Sequence, residues 1–166
     1  YEISLGLVGS EMCIRDSARD KDAVVTAMLI CEMAAYFKSL GKTLSDVLAE
    51  LYETYGYYYD KSLSYTLKGL EGGRRIAAIM EEARSMDMKS VIPETVETLD
   101  FEKGIGGLPR ENVLKYRLAG GGWFAIRPSG TEPKIKFYYS LRGRNEEEAL
   151  RLFGAYRSRL EKQFGL

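Results

Sequence analysis

The chain has 166 residues, 45% of them apolar, with 24 basic and 24 acidic side chains and no histidine. That apolar share supports a packed core and excludes wholesale disorder. The lack of histidine removes the commonest general base and metal ligand, and the even charge lacks the basic surplus of a nucleic-acid protein, leaving room only for a local basic patch. Cys13 and Cys31 are too few for a disulfide framework and read as reduced thiols of a cytoplasmic protein. No Cys or acidic cluster has zinc-like spacing. No apolar run reaches the ~18 residues of a membrane span.

Residues 1–17, "YEISLGLVGSEMCIRDS", show neither a helical nor a strand period. They lack an initiator Met and a basic n-region, so the chain reads as a fragment or a processed product. Their tail, "LVGSEMCIRDS", resembles a translated sequencing-adapter tract, and the segment is expected to be non-native or disordered. From Asp20 the pattern is clean. Asp20 or Asp22 can cap a helix over "AVVTAMLICEMAAYF", which is apolar nearly all round and is expected to be buried, with Cys31 an inert buried thiol. Gly41 ends it. Thr43 with Asp46 forms a capping-box variant for a second helix whose stripe is Leu44, Val47, Leu48, Leu51 and Tyr55, and Gly56 stops it.

"YYYDKSLSYTLKG" reads as a strand, its tyrosines Tyr57–Tyr59 serving a core more readily than stacking on sugars or bases. "RRIAAIMEEARSM" is an amphipathic helix with Ile76, Ile79, Met80 and Ala83 on one face. "TVETLDF" after Pro93 is a strand, and Gly104–Gly107 lie in a flexible connection. "VLKYRL" alternates, with Leu114, Tyr116 and Leu118 on one face and Lys115 and Arg117 on the other. Gly120–Gly122 supply a hairpin turn. "WFAI" and "KIKFYYSL" are strands. Asn145 caps a last helix with Glu146–Glu148 in its first turn and Leu152, Phe153, Tyr156 and Leu160 facing the core. From Tyr57 the order is strand, helix, four strands, helix. This predicts an α+β domain over 57–166, a mostly antiparallel sheet with two helices on one face, preceded by helices of a different unit over 18–56.

Between the last two strands stands "RPSGTEPK". Pro128 fixes its own φ and biases Arg127 to extended geometry. Gly130 can take a positive φ and turn N–H groups inward, making an anion-binding concavity. Ser129 and Thr131 add hydroxyls, and Arg127 offers a fork that matches two phosphate oxygens. Lys134 and Lys136 point to one face. The composition also suits an ordinary hairpin loop. No Gly-x-x-x-x-Gly-Lys is present, so this is not a nucleotide P-loop.

"RPSGTEPKIKFY" resembles the phosphate-binding loop in the last domain of the phosphohexomutases, the phosphoglucomutase and phosphomannomutase family. "RDKDAVVTAMLICEMAAYF", "ETYGYYYDKSLSYTLKG" and "LPRENVLKYRLAGGGWFAIRPSGTEPK" are similar to the same family. They are most similar to its bacterial phospho-sugar mutases described as phosphoglucomutases. The resemblance runs from about Ala18 to the C-terminus. It implies a C-terminal fragment of an intramolecular phosphotransferase that interconverts glucose 1-phosphate and glucose 6-phosphate. The helices over 18–56 would close the third mutase domain, an α/β domain. Arg127, Ser129, Gly130, Thr131 and Lys136 would clamp the non-transferred phosphate, and Lys21 of "RDKD" would reach the sugar phosphate or serve proton transfer.

The family's phosphoserine and its Asp-rich Mg²⁺ loop belong to earlier domains, and no Asp-x-Asp-x-Asp occurs here. This piece is therefore expected to hold no metal and to be inactive alone. Its partners would be the phosphohexose and the missing N-terminal domains, with no nucleic acid and no membrane. Two rivals remain: a non-catalytic anion- or phosphosugar-binding module, and a single-strand binder using sheet aromatics. An upstream phosphoserine loop in the same gene would favour the mutase.

Overall fold

The computed structural model of the chain describes residues 23–166, apart from the side chain of Leu70. It divides into two compact units, the first ending at Thr54 and the second running Tyr55–Leu166. The proposed segment 1–17, the caps Asp20 and Asp22, and Lys21 lie outside the described residues.

The first unit contributes α1 (Ala23–Ser39) and α2, which continues to the boundary (Leu44–Tyr55). Gly41, at φ 74°, turns the chain between them. The Asp46 N–H donates to Thr43 Oγ1 at 3.2 Å and the Thr43 N–H donates to Asp46 Oδ2 at 2.7 Å, so the capping box forms in both directions. The Thr43 hydroxyl, which donates to Asp46 Oδ2 at 2.7 Å, and then the Thr43 N–H hold the Asp46 carboxyl below the usual carboxylate range. The expected burial of α1 is not found. Neither helix has a buried residue, Val24 and Met28 are 72% and 67% exposed, and Cys31 is exposed. A helix apolar all round needs packing layers on opposite sides, and no residue of α1 is buried.

The second unit is an open antiparallel sheet in the order β1-β5-β4-β3-β2. Its strands are β1 (Tyr57–Thr66), β2 (Thr95–Asp100), β3 (Leu114–Leu118), β4 (Trp123–Pro128) and β5 (Lys134–Gly143), with α3 (Gly69–Ser85) after β1 and α4 (Glu146–Phe164) after β5. Period-two alternation sends Leu114, Tyr116, Phe124, Ile126, Ile135, Phe137, Tyr139 and Leu141 to one face. There they form a single core with Ile76, Ile79 and Met80 of α3 and Tyr156, Leu160 and Phe164 of α4. Tyr116, Phe124 and Tyr139 sit side by side across β3, β4 and β5, with ring centroids 4.6 and 6.4 Å apart. The Tyr116 hydroxyl donates to the Ala83 carbonyl at 2.8 Å, which joins this aromatic band to α3. Within the tyrosine run, Tyr59 packs on Phe153 while Tyr58 points the other way, 37% exposed. The helix α3 begins at Gly69, earlier than its apolar period suggested, through a glycine-rich first turn. Short 3-10 turns at Met88–Ser90 and Phe101–Lys103 flank β2.

Thr95 is 3% exposed and its Oγ1 has no hydrogen-bond partner among the described residues. Thr95→Val keeps the shape and removes the orphaned hydroxyl. A gain of about 1 kcal/mol is expected, read as a higher urea midpoint at unchanged slope.

Asn145 caps α4 by accepting the Glu148 N–H, and Glu148 in turn accepts the Arg144 N–H and its guanidinium. The Arg144 hydrogen bonds pull the Glu148 carboxyl down to about 2 from 4.5. A lowered acid favours the folded state when ionised. The cap's contribution is therefore complete above pH 4.5 and is lost as pH falls through about 2. An NMR titration of the Glu148 carboxyl is expected to show that low midpoint, and Arg144→Ala to return it toward 4.5.

Candidate functional site

At one end of the sheet the chain reverses between β4 and β5. Pro128 still pairs with Ile135, and the Ser129 N–H donates to the Lys134 carbonyl at 2.8 Å, which closes the turn. From the β1 side the Leu67 N–H donates to the Pro133 carbonyl at 2.9 Å. The tip is thus pinned by both neighbours while Gly130 and Thr131 stay exposed. The N–H groups of Gly130, Thr131 and Glu132 and the hydroxyls of Ser129 and Thr131 meet no acceptor among the described residues. Gly130 does not take the positive φ expected of it. Two prolines and the Ser129–Lys134 bond bend the chain instead, and the glycine leaves clearance: nothing lies within 4 Å of a Cβ built there.

The cations divide into engaged and available. Lys134 Nζ lies 2.8 Å from Glu132 Oε1 and holds that carboxyl below the usual range, with a further pull from Lys136. Lys136 has no ion-pair partner among the described residues. It stands directly across from Arg127 in the β4–β5 register, a placement that brings Cβ atoms to about 4.5–5.5 Å. The Arg127 side chain is 54% exposed, and its nearest carboxylate, Glu111 Oε2, is 4.0 Å away. Such an open pair is worth about 0–1 kcal/mol, so an incoming dianion competes easily for the guanidinium.

Arg127, Ser129, Gly130, Thr131 and Lys136 are therefore brought to one end of the sheet, and Lys21 is outside the described residues. Sequence reading missed Glu111 and Ser64. Glu111 follows Gly104, Gly106 and Gly107, all at positive φ, and returns to Arg127 from 16 positions upstream. No spacing rule signals such a return. Ser64 of β1 pairs with Lys136 and extends the Arg127–Lys136 row by one strand. A cavity of about 500 Å³ lies at the far end of the sheet, lined by Gly122, Arg142 and Tyr156 among others, away from the loop. Among the described residues no group of three or more His, Cys, Asp or Glu side chains could hold a metal ion, so the donors here do not fit the Mg²⁺ that the resemblance implies.

Fold and tip together define a class: a small α+β domain that presents exposed backbone donors and paired cations at the end of a hairpin. A family model described as phosphoglucomutase/phosphomannomutase, C-terminal domain, matches residues 72–154. The chain belongs to that family. It is 38% identical over 161 residues to a phosphoglucomutase of Staphylococcus haemolyticus, covering 89% of this chain and 28% of that protein. It is 40% identical over 136 residues to a phosphoglucomutase of Staphylococcus aureus strain MRSA252, covering 75% of this chain and 24% of that protein. The chain thus spans about 28% of the length of the first of these relatives. In fold it is similar to the open form of the exocytosis-sensitive phosphoprotein pp63/parafusin, a phosphoglucomutase from Paramecium. The TM-score is 0.62 at 11% identity, over 87% of this chain and 28% of that one. Among the described residues, no single helix is long and apolar enough to cross a membrane.

Proposed function

We propose that the chain is the C-terminal part of a cytoplasmic phosphohexomutase, and that it clamps the phosphate not being transferred while glucose 1-phosphate and glucose 6-phosphate are interconverted. Residues 18–56 are then the closing helices of a preceding α/β domain, and 57–166 the phosphate-binding domain. The observation that carries this reading is the cross-strand pair Arg127–Lys136 beside a pinned tip whose donors are free. Arg127 takes two phosphate oxygens with its fork, the Gly130 and Thr131 N–H groups and the Ser129 and Thr131 hydroxyls take others, and Lys136 adds charge. The open space at Gly130 admits the phosphate to the backbone.

Binding energy gathered at the far phosphate orients the sugar for chemistry elsewhere. The grip must also open so that a bisphosphorylated sugar can present its other phosphate, and a small end domain suits that movement. The phosphoserine and the Mg²⁺ that stabilises phosphoryl-transfer charge belong to other domains of the parent chain.

The test is an NMR titration of this chain with glucose 6-phosphate. Amides of Ser129, Gly130 and Thr131 are expected to move first, with a roughly millimolar Kd because water competes at an open tip, and glucose is expected to move none. The chain alone is expected to show no mutase turnover. Shifts centred on Tyr57–Tyr59, or turnover by the pure chain, would overturn the reading.

A further inference from the structure

The 24 basic and 24 acidic side chains balance in number but not in space. Both helices of the second unit pack on one face of the sheet, and strand alternation sends a different set of residues to the other. On that helix-free face lie Lys115, Arg117, Arg127, Lys134, Lys136 and Arg142, against the acids Asp60 and Glu97. Arg117 pairs with Glu97 and Lys134 with Glu132, but Lys115, Lys136 and Arg142 have no ion-pair partner among the described residues.

Two half-buried aromatic residues stand on this face on inner strands, Trp123 at the start of β4 and Tyr138 midway along β5. Trp123 of β4 pairs with Ser140, and Tyr138 of β5 pairs with Ala125, so the two residues are diagonal neighbours, with backbone positions about 7–8 Å apart by sheet geometry. Ala125 and Ser140 are buried between them. Lys115 Nζ sits 4.2 Å from the Trp123 ring centroid. Burial, and then the charge of Arg117, lower the Lys115 pKa.

We propose that the helix-free face of the sheet binds single-stranded nucleic acid, with Trp123 and Tyr138 stacking successive bases and Lys115, Lys136 and Arg142 taking backbone phosphates. Stacking platforms flanked by cations on the central strands of an open sheet suit unpaired strands, whose bases can splay onto rings. A purely acidic peptide would use the cations and leave the rings unused. The expectation of no nucleic acid rested on total charge, and total charge does not report how cations are distributed over faces.

Trp123 is the chain's one tryptophan, so its fluorescence reports this face directly. Titration with a short oligouridylate or oligothymidylate is expected to quench Trp123 to saturation. Three unpaired cations predict a slope of log K against log salt of about −2. Tyr138→Ala, checked for folding by circular dichroism, is expected to weaken binding about 5- to 150-fold, and Lys136→Gln to flatten the slope by about 0.7. Glucose 6-phosphate, which meets the hairpin tip, is expected to leave Trp123 emission unchanged. Absence of quenching, equal quenching by oligoglutamate, or a folded Tyr138→Ala variant that binds as well as the parent would overturn the proposal.

Discussion

Arg127→Ala, made in the full-length parent, is expected to lower kcat/KM for glucose 6-phosphate by about 10- to 150-fold while the thermal midpoint stays where it was. The size follows from the roughly 1.5–3 kcal/mol that a charge-assisted contact contributes. The selectivity follows from position. The side chain is 54% exposed and its only ion pair among the described residues is a 4.0 Å contact with Glu111, so folding loses almost nothing with it. Its neighbour across the sheet, Lys136, cannot replace it, because an ammonium offers a point charge and not a fork. Arg127→Lys should therefore recover only part of the loss. Steady-state kinetics of the two variants beside the parent, with thermal melts, decide the matter. Wild-type kinetics for Arg127→Ala would remove Arg127 from the site.

What was legible in the sequence was local. The alternation in "VLKYRL" puts Tyr116 and Lys115 on opposite faces, and the spacing of Lys134 and Lys136 puts both on one face, as the register has them. Thr43 with Asp46, and Asn145 before its three glutamates, marked helix starts that the hydrogen bonds reproduce. What was hidden was non-local. The order β1-β5-β4-β3-β2 puts the first strand beside the last, and no period along the chain encodes that pairing. The same pairing lays Ser64 beside Lys136, and a long loop return brings Glu111 to Arg127. The burial of α1 is hidden for a related reason: an apolar helix declares a need for partners, and whether partners lie against it is a property of the surroundings. At the tip the motif names the residues but not the means of turning. The motif offers the conformational freedom of Gly130, whereas the structure uses this glycine for open space.

The glycine pair that opens α3 gives the largest expected effect on stability, and a sign change between adjacent residues. In an exposed helix position, Gly→Ala gains up to about 1 kcal/mol, because glycine loses more backbone entropy on folding. Gly73 is exposed with nothing within 4 Å of an added Cβ, so Gly73→Ala is expected to stabilise by that amount. Gly72 is buried, and a Cβ built there overlaps the carbonyl group of Leu67. Backbone cannot swing aside as a side chain can, so helix and strand end must separate. Overpacking of this kind costs about 1–3 kcal/mol, which outweighs the helix-propensity gain. The displaced residue is also the one whose N–H holds the Pro133 carbonyl at 2.9 Å. Gly72→Ala should then loosen the tip that carries Ser129, Gly130 and Thr131, and weaken its response to glucose 6-phosphate, while Gly73→Ala leaves that response intact. Urea unfolding of both variants, with the NMR titration repeated on each, separates the outcomes. A Gly72→Ala variant as stable as the parent, with unchanged tip amides, would show that the α3–β1 approach does not position the loop.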